Sequence, residues 1–142
     1  MTCETMTLAE LVSSADLALF VRNKLTKPGS DFQWKLTRLL HGDAVASEQD
    51  GSIALVADQS EIVGWARTEY WQAHDTLEAF VAPDCRLRGI AAFAASGLYA
   101  SVLHDEGGAV AVFHPHMLLV ARRAGLFATL FQKNQRGEWV KA

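Results

Sequence analysis

The five residues 109–113, Ala-Val-Ala-Val-Phe, carry no polar side chain. A strand of that kind has no face to turn to water, so it belongs inside a sheet covered on both sides. Its flanks restrict it further. The Ala-rich segment 88–104 places Ile90, Ala94, Leu98 and Val102 at four-residue steps, a helical pattern that Gly107-Gly108 stops. Pro115 stands where it can open the next helix, which should end at Gly125. Residues 127–131 and 138–141 then predict a closing hairpin around 134–137. A helix between parallel strands is a right-handed crossover, so part of the sheet is parallel.

The stretch before that helix has a different character. Residues 52–57, 62–71 and 76–81 are rich in β-branched and aromatic side chains and are separated by Asp58-Gln59-Ser60 and Gln72-Ala73-His74. They predict an antiparallel meander, and Pro83 ends its third strand. Earlier still, Leu17, Phe20, Val21 and Leu25 give a helix over 15–25, with Ser13 or Ser14 as cap. After the break at Lys27-Pro28-Gly29-Ser30, a second helix through Phe32, Leu36, Leu39 and Leu40 ends near Gly42. Residues 7–12 are assigned a short leading strand. The expected fold class is α/β, in the α+β sense of a central mixed sheet with helices on both faces, in one domain over residues 1–142.

Composition excludes several functions. Sixteen acids against 13 bases, a net charge of −3, give no basic footprint for nucleic acid. Cys3 and Cys85 are too few for a disulfide framework and lack metal-ligand spacing, which points to a reducing, cytoplasmic setting and to no metal. No apolar run approaches the ~20 residues of a membrane span. The first residues, with Glu4 among them, do not read as a signal peptide.

Between the third β segment and the Ala-rich helix lies Val81-Ala82-Pro83-Asp84-Cys85-Arg86-Leu87-Arg88-Gly89-Ile90-Ala91. A pyrophosphate needs several N–H donors converging on it, and a helix N-terminus supplies unpaired amides and the positive end of a dipole. Gly89 keeps a Cβ out of the way, Ala91 keeps the next contact small, and Arg86 and Arg88 add charge. The segment resembles the acetyl-CoA-binding motif of the GCN5-related N-acetyltransferases, Arg/Gln-x-x-Gly-x-Gly/Ala after a strand ending Val-x-Pro. Arg86, Gly89 and Ala91 fill the three defining positions, and Val81 and Pro83 the two before them.

The resemblance implies a GCN5-related fold, acetyl-CoA as co-substrate, and a cofactor-binding set of Ala79, Val81, Arg86, Leu87, Arg88, Gly89, Ile90 and Ala91. It implies that strands 76–81 and 109–113 splay apart and admit the pantetheine arm. Val81 would pair with that arm through its backbone, and the Ala79 N–H would face the thioester oxygen.

Acetyl transfer to a primary amine needs a base, because deprotonating a lysine-like ammonium at pH 7 costs roughly 4–5 kcal/mol. Asp75, six residues before Val81, is the first candidate, placed by strand alternation on the face of Ala79 and Val81. Glu78, on the opposite face, is the second, and Glu69 the third. The alternative for each is a solvated strand charge. Relatives often carry a tyrosine acid four residues before the Gly of a closing Gly-Phe pair. Here the pair is Gly125-Leu126 and the position is Ala121. His114, at the rim of the expected splay, is the candidate substitute as acid, base or hydrogen-bond donor, with a helix cap as its alternative. His114-Pro115-His116 lacks a third metal ligand, and Cys85 reads as an incidental thiol. Some of Trp34, Trp65, Tyr70, Trp71 and Phe80 belong to the core and one or two to an acceptor pocket, with Glu10, Glu69 and Asp75 suited to a cationic acceptor.

Two functions follow. One is an acetyl-CoA-dependent N-acetyltransferase acting on a small-molecule or peptide amine in a ternary complex, with a homodimer possible. The other is a catalytically inactive relative that keeps the fold and the coenzyme site as a binding or assembly protein. The intact loop favours the first, and Ala121 favours the second.

Overall fold

A computed structural model describes residues 1–86, 88–101 and 109–142. The meander forms as the sequence requires. β2 (Ser52–Asp58), β3 (Glu61–Thr68) and β6 (Glu78–Val81) pair antiparallel in that order. β1 (Thr2–Thr7) adds to the outer side of β2, so the leading strand lies earlier than residues 7–12. Those residues mostly form α1 (Leu8–Ser13) instead. The reason is local. Thr7 accepts a hydrogen bond from the Glu10 N–H and donates its own N–H to the Glu10 carboxylate, both at 3.1 Å, a capping box that closes the helix directly after the strand.

The four-stranded sheet carries a core on each side. Leu8, Leu11, Val21, Phe32 and Leu36 of α1, α2 (Ala15–Lys24) and α3 (Asp31–Leu40) pack on Ile53, Leu55 and Trp65. Ile90, Ala94 and Leu98 of α4 (Ile90–Ser101) pack on Ala54, Val56 and Ala66 of the opposite face. Strand alternation assigns β2 to both cores. In β3 a register shift opposite Val56 and Ala57 inserts Val63 as an extra residue. The bulge lets Val63 face α4 while Trp65, two residues on, faces α3.

The expected crossover helices are present, and the sheet is divided. β7 (Ala109–Val112) pairs parallel with β8 (Phe127–Lys133) across α5 (Pro115–Arg123), and β8 pairs antiparallel with β9 (Trp139–Lys141). Val110, Ala111 and Val112 are buried, as an all-apolar strand demands. Among the described residues the single central sheet of the sequence reading is therefore two larger sheets and a two-stranded hairpin, and together they form a mixed α/β molecule with helices against both faces of the antiparallel four-stranded sheet. A small hairpin of β4 (Tyr70–Trp71) and β5 (His74–Asp75) lies between them in the chain. Its turn residues, Gln72 and Ala73, both have positive φ. The second β segment, 62–71, thus breaks at Glu69 into β3 and the hairpin arm β4, the third, 76–81, becomes regular strand only at Glu78, and His74 is strand and not turn. Residues 102–104 of the predicted helix and its Gly107-Gly108 stop lie outside the described residues.

Among the described residues no helix is long and apolar enough to cross a membrane.

Candidate active site

The two sheets are joined by backbone contacts just before β6. Thr76 bridges Ala111 in parallel, and the Leu77 N–H donates to the Ala111 carbonyl at 3.0 Å. From Glu78 onward β6 pairs with β3 alone, and no described strand takes its other edge. The ladder fixes which groups that edge presents. Ala82 N–H donates to Val63 C=O at 2.8 Å, so in an antiparallel register the backbone groups of Phe80 and Glu78 also face β3. Those of Ala79 and Val81 face the opposite way, on the side where Leu77 reaches β7. At Val81 the Arg86 Nε donates to the carbonyl at 3.4 Å.

The loop beyond this edge is short. Pro83–Cys85 form one 3-10 turn, and Arg86 is extended. Gly89, with φ +74°, leads into α4. A Cβ at Gly89 would meet no atom within 4 Å, so the space in front of it is open, and the positive φ independently disfavours any other residue. The first N–H groups of α4 have no intrahelical acceptor and emerge at this point. The Ile90 side chain is buried against Gly64 on the core side, leaving only its backbone for the loop. Arg88 is paired with Asp58 of β2. Leu87, the remaining loop candidate, lies outside the described residues.

On the α3 side of β6 a cavity of about 330 Å³ opens between the two sheets. Glu78 and His114 line it together, with Phe32, Lys35, Arg67, Phe113 and Trp139 around them. Residue alternation in β6 accounts for the placement: Ala79 and Val81 pack toward α4, while Glu78 and Phe80 turn the other way. His114 caps α5 without a side-chain cap bond, as the residue where β7 ends and the helix begins. Asp75 is not in the cavity lining. It stands opposite Tyr70 in the hairpin, and the alternation counted back from Val81 does not extend through the irregular segment at Thr76 and Leu77.

The cavity holds a chain of ion pairs. Lys35 Nζ contacts Asp50 at 2.5 Å and Glu69 at 3.2 Å. Arg67 Nη2 contacts Glu69 at 2.9 Å, and Arg67 Nη1 contacts Glu78 at 2.8 Å. Enclosure drives the Glu78 carboxyl above the usual carboxylate range. The Arg67 charge and hydrogen bond oppose that rise, and Glu69 and Asp31 reinforce it. About half of the Glu78 side chain is still accessible, from within the cavity it lines. Burial alone would raise Asp50 and lower Lys35, but their mutual hydrogen bond and charges reverse both: Asp50 is held low and Lys35 high.

The sequence reading missed Arg67 and Lys35. The signal for Arg67 was a lone cation inside the apolar strand Ile-Val-Gly-Trp-Ala-Arg-Thr. Lys35 looked like any solvated helix residue. The aromatics divide in a way spacing did not show. Trp65 is core and donates its Nε1–H to Leu25 C=O at 2.6 Å, while Phe32, Phe113 and Trp139 line the cavity. Trp34 lines a second cavity, of about 460 Å³, that shares Asp31 and Lys35 with the first. Glu10 is committed to its capping box. Ala121 is fully buried in the α4–α5 core. No three His, Cys, Asp or Glu side chains among the described residues converge as a metal site.

The sequence matches no family model and no curated protein.

Proposed function

We propose that this chain is an acetyl-CoA-dependent N-acetyltransferase of the GCN5-related type, acting on a primary amine. The observation that carries the reading is the free edge of β6. Ala79 and Val81 turn their backbone groups away from β3, next to a loop that ends in Gly89 and the open N-terminus of α4. An extended arm ending in a diphosphate fits that sequence of groups: strand-like pairing along the edge, then amides and helix dipole for the anion.

In this reading the acceptor amine occupies the cavity and Glu78 takes its proton, directly or through one water. A carboxylate whose affinity for protons is raised by enclosure is better matched to that task at neutral pH than a solvated one. The amine nitrogen bonds to the acetyl carbon, the Ala79 N–H donates to the oxygen that gains charge, and the carbon–sulfur bond breaks. The thiolate needs a proton, and His114 is the cavity residue able to return one. Ala121, buried and without a hydroxyl, supplies none, and this favours as second reading a coenzyme-binding protein without turnover.

Purified protein with acetyl-CoA and a broad panel of amines separates the two. Coenzyme A thiol release that depends on the amine supports the enzyme. Saturable binding of acetyl-CoA with no acceptor-dependent release supports the binding protein, and no binding at all overturns both.

A further inference from the structure

Arg67 is an arginine with 2% of its side chain exposed, set in an apolar strand. Its guanidinium is fixed from several directions. Nη1 donates to Glu78 Oε1 at 2.8 Å, and Nη2 donates to Glu69 Oε2 at 2.9 Å and to the Asp50 carbonyl at 3.3 Å. The Phe32 ring lies beneath, 4.3 Å from the guanidinium carbon. Nε is buried with no partner among the described residues. Stability alone is a poor reason to keep such a group, since well-packed apolar residues commonly replace buried ion pairs without loss. Lys35 Nζ contacts the same Glu69 Oε2 that Nη2 meets, and the Nη1 arm has Glu78 as its carboxylate.

We propose that Arg67 is a positioning residue for the transfer reaction, holding the Glu78 carboxylate in the orientation from which it takes the acceptor's proton. This rests on the assignment of Glu78 as the base. Register makes the arrangement stiff: Arg67 and Glu78 are direct cross-strand partners of β3 and β6, and the guanidinium that meets Glu78 through Nη1 is itself anchored through Nη2 to Glu69 and the Asp50 carbonyl. The charged and titratable groups around Glu78 are Arg67 and Glu69, Asp31 and Lys35 from α3, Asp50, and His114 after β7. Of the cations, Arg67 alone contacts it among the described residues. Removing Arg67 leaves Glu78 enclosed with Glu69 and Asp31 and without a cation in contact.

The test compares Arg67→Met and Arg67→Lys by carboxyl-carbon NMR titration of Glu78 and by the pH dependence of kcat. Arg67→Met should move the Glu78 titration, and the acid limb of the rate profile, upward by about 1–3 units. It should lower kcat at least tenfold and leave KM for acetyl-CoA unchanged. Arg67→Lys should recover part of both, and it serves alone if the Met variant does not fold. In a Glu78→Gln background, Arg67→Met should cost little more. A Glu78 titration unmoved by either substitution, or a loss of turnover as large in the Glu78→Gln background, overturns the role of Arg67 while wild-type turnover keeps the enzyme reading. Absence of wild-type turnover with every amine overturns the enzyme reading, and with it the catalytic role of both residues.

Discussion

Arg67 and Glu78 face each other across the β3–β6 ladder, side chain to side chain at 2.8 Å, on the wall of the cavity that also holds His114. A cross-strand pair is set by register, and register by the hydrophobic pattern of the strands on either side. The placement of the proposed base therefore follows from the same alternation that sends Ala79 and Val81 toward α4.

Glu78→Gln should remove the base while preserving an acceptor for Arg67. We expect kcat/KM to fall by roughly 10²–10⁴-fold. Stability should behave oppositely to an ordinary ion-pair mutation. A carboxyl raised in the folded state favours folding when protonated, and that contribution is lost as pH rises through its folded value. At pH 8 the variant should therefore melt no lower than the wild type. A lower melting temperature there would assign Glu78 a structural role.

Gly89→Asp should abolish coenzyme binding without unfolding the chain: the positive φ costs the new residue about 1–2 kcal/mol, its side chain enters open space, and it places a carboxylate where phosphate is expected. Acetyl-CoA at 100 times its Kd should stabilise the wild type by about 2.7 kcal/mol, several degrees in melting temperature. The variant should show no such shift, and an unchanged shift would remove the loop from the site.

Gly64→Ala tests how closely β6 must approach. A Cβ there would lie 2.8 Å from the Phe80 carbonyl oxygen and 3.0 Å from the Ile90 side chain, and the backbone oxygen has little room to retreat. Overpacking of this kind costs about 1–3 kcal/mol, readable by chemical denaturation. The acetyl-CoA shift should shrink with it, since β6 and the start of α4 are both displaced.

Lys35→Met probes the far end of the ion-pair chain. Asp50 is held low, so its stabilisation is present above the ordinary carboxylate range and is lost as pH falls through the folded value. Lys35 is held high, so its share is present at neutral pH and is lost only as pH rises through its own folded value. The variant should be less stable by about 1 kcal/mol at pH 7, a figure kept small because a third of Lys35 is exposed. The difference from wild type should begin to fall near the ordinary carboxylate pKa of about 4, disappear only below the lowered folded value of Asp50, and shrink with added salt.

Local rules made much of the fold legible. The apolar run at Ala109 to Val112, the Pro115 start, the Gly125 stop and the meander of β2, β3 and β6 all depend on neighbours a few residues away. The same is true of the loop at Gly89, whose positive φ and helix-start position are properties of a dozen residues. The misplaced first strand shows the limit. Thr7 and Glu10 carried a capping signal that outweighed the alternation around them.

What the chain alone determined, then, was most of the elements beyond residue 14, their order, and the place of Gly89 at a helix start. Which carboxylate reached the cavity was decided by tertiary structure. Asp75 and Glu78 are three residues apart and equally acidic on paper, but a hairpin and the bridge at Thr76 and Ala111 interrupt the strand between them. Arg67, Lys35 and Glu69 become one network only when α3 docks on β3, and Phe113 and Trp139 join it only when the second sheet closes the cavity. Contacts between residues far apart in sequence depend on how packed elements meet, and no local pattern encodes that meeting.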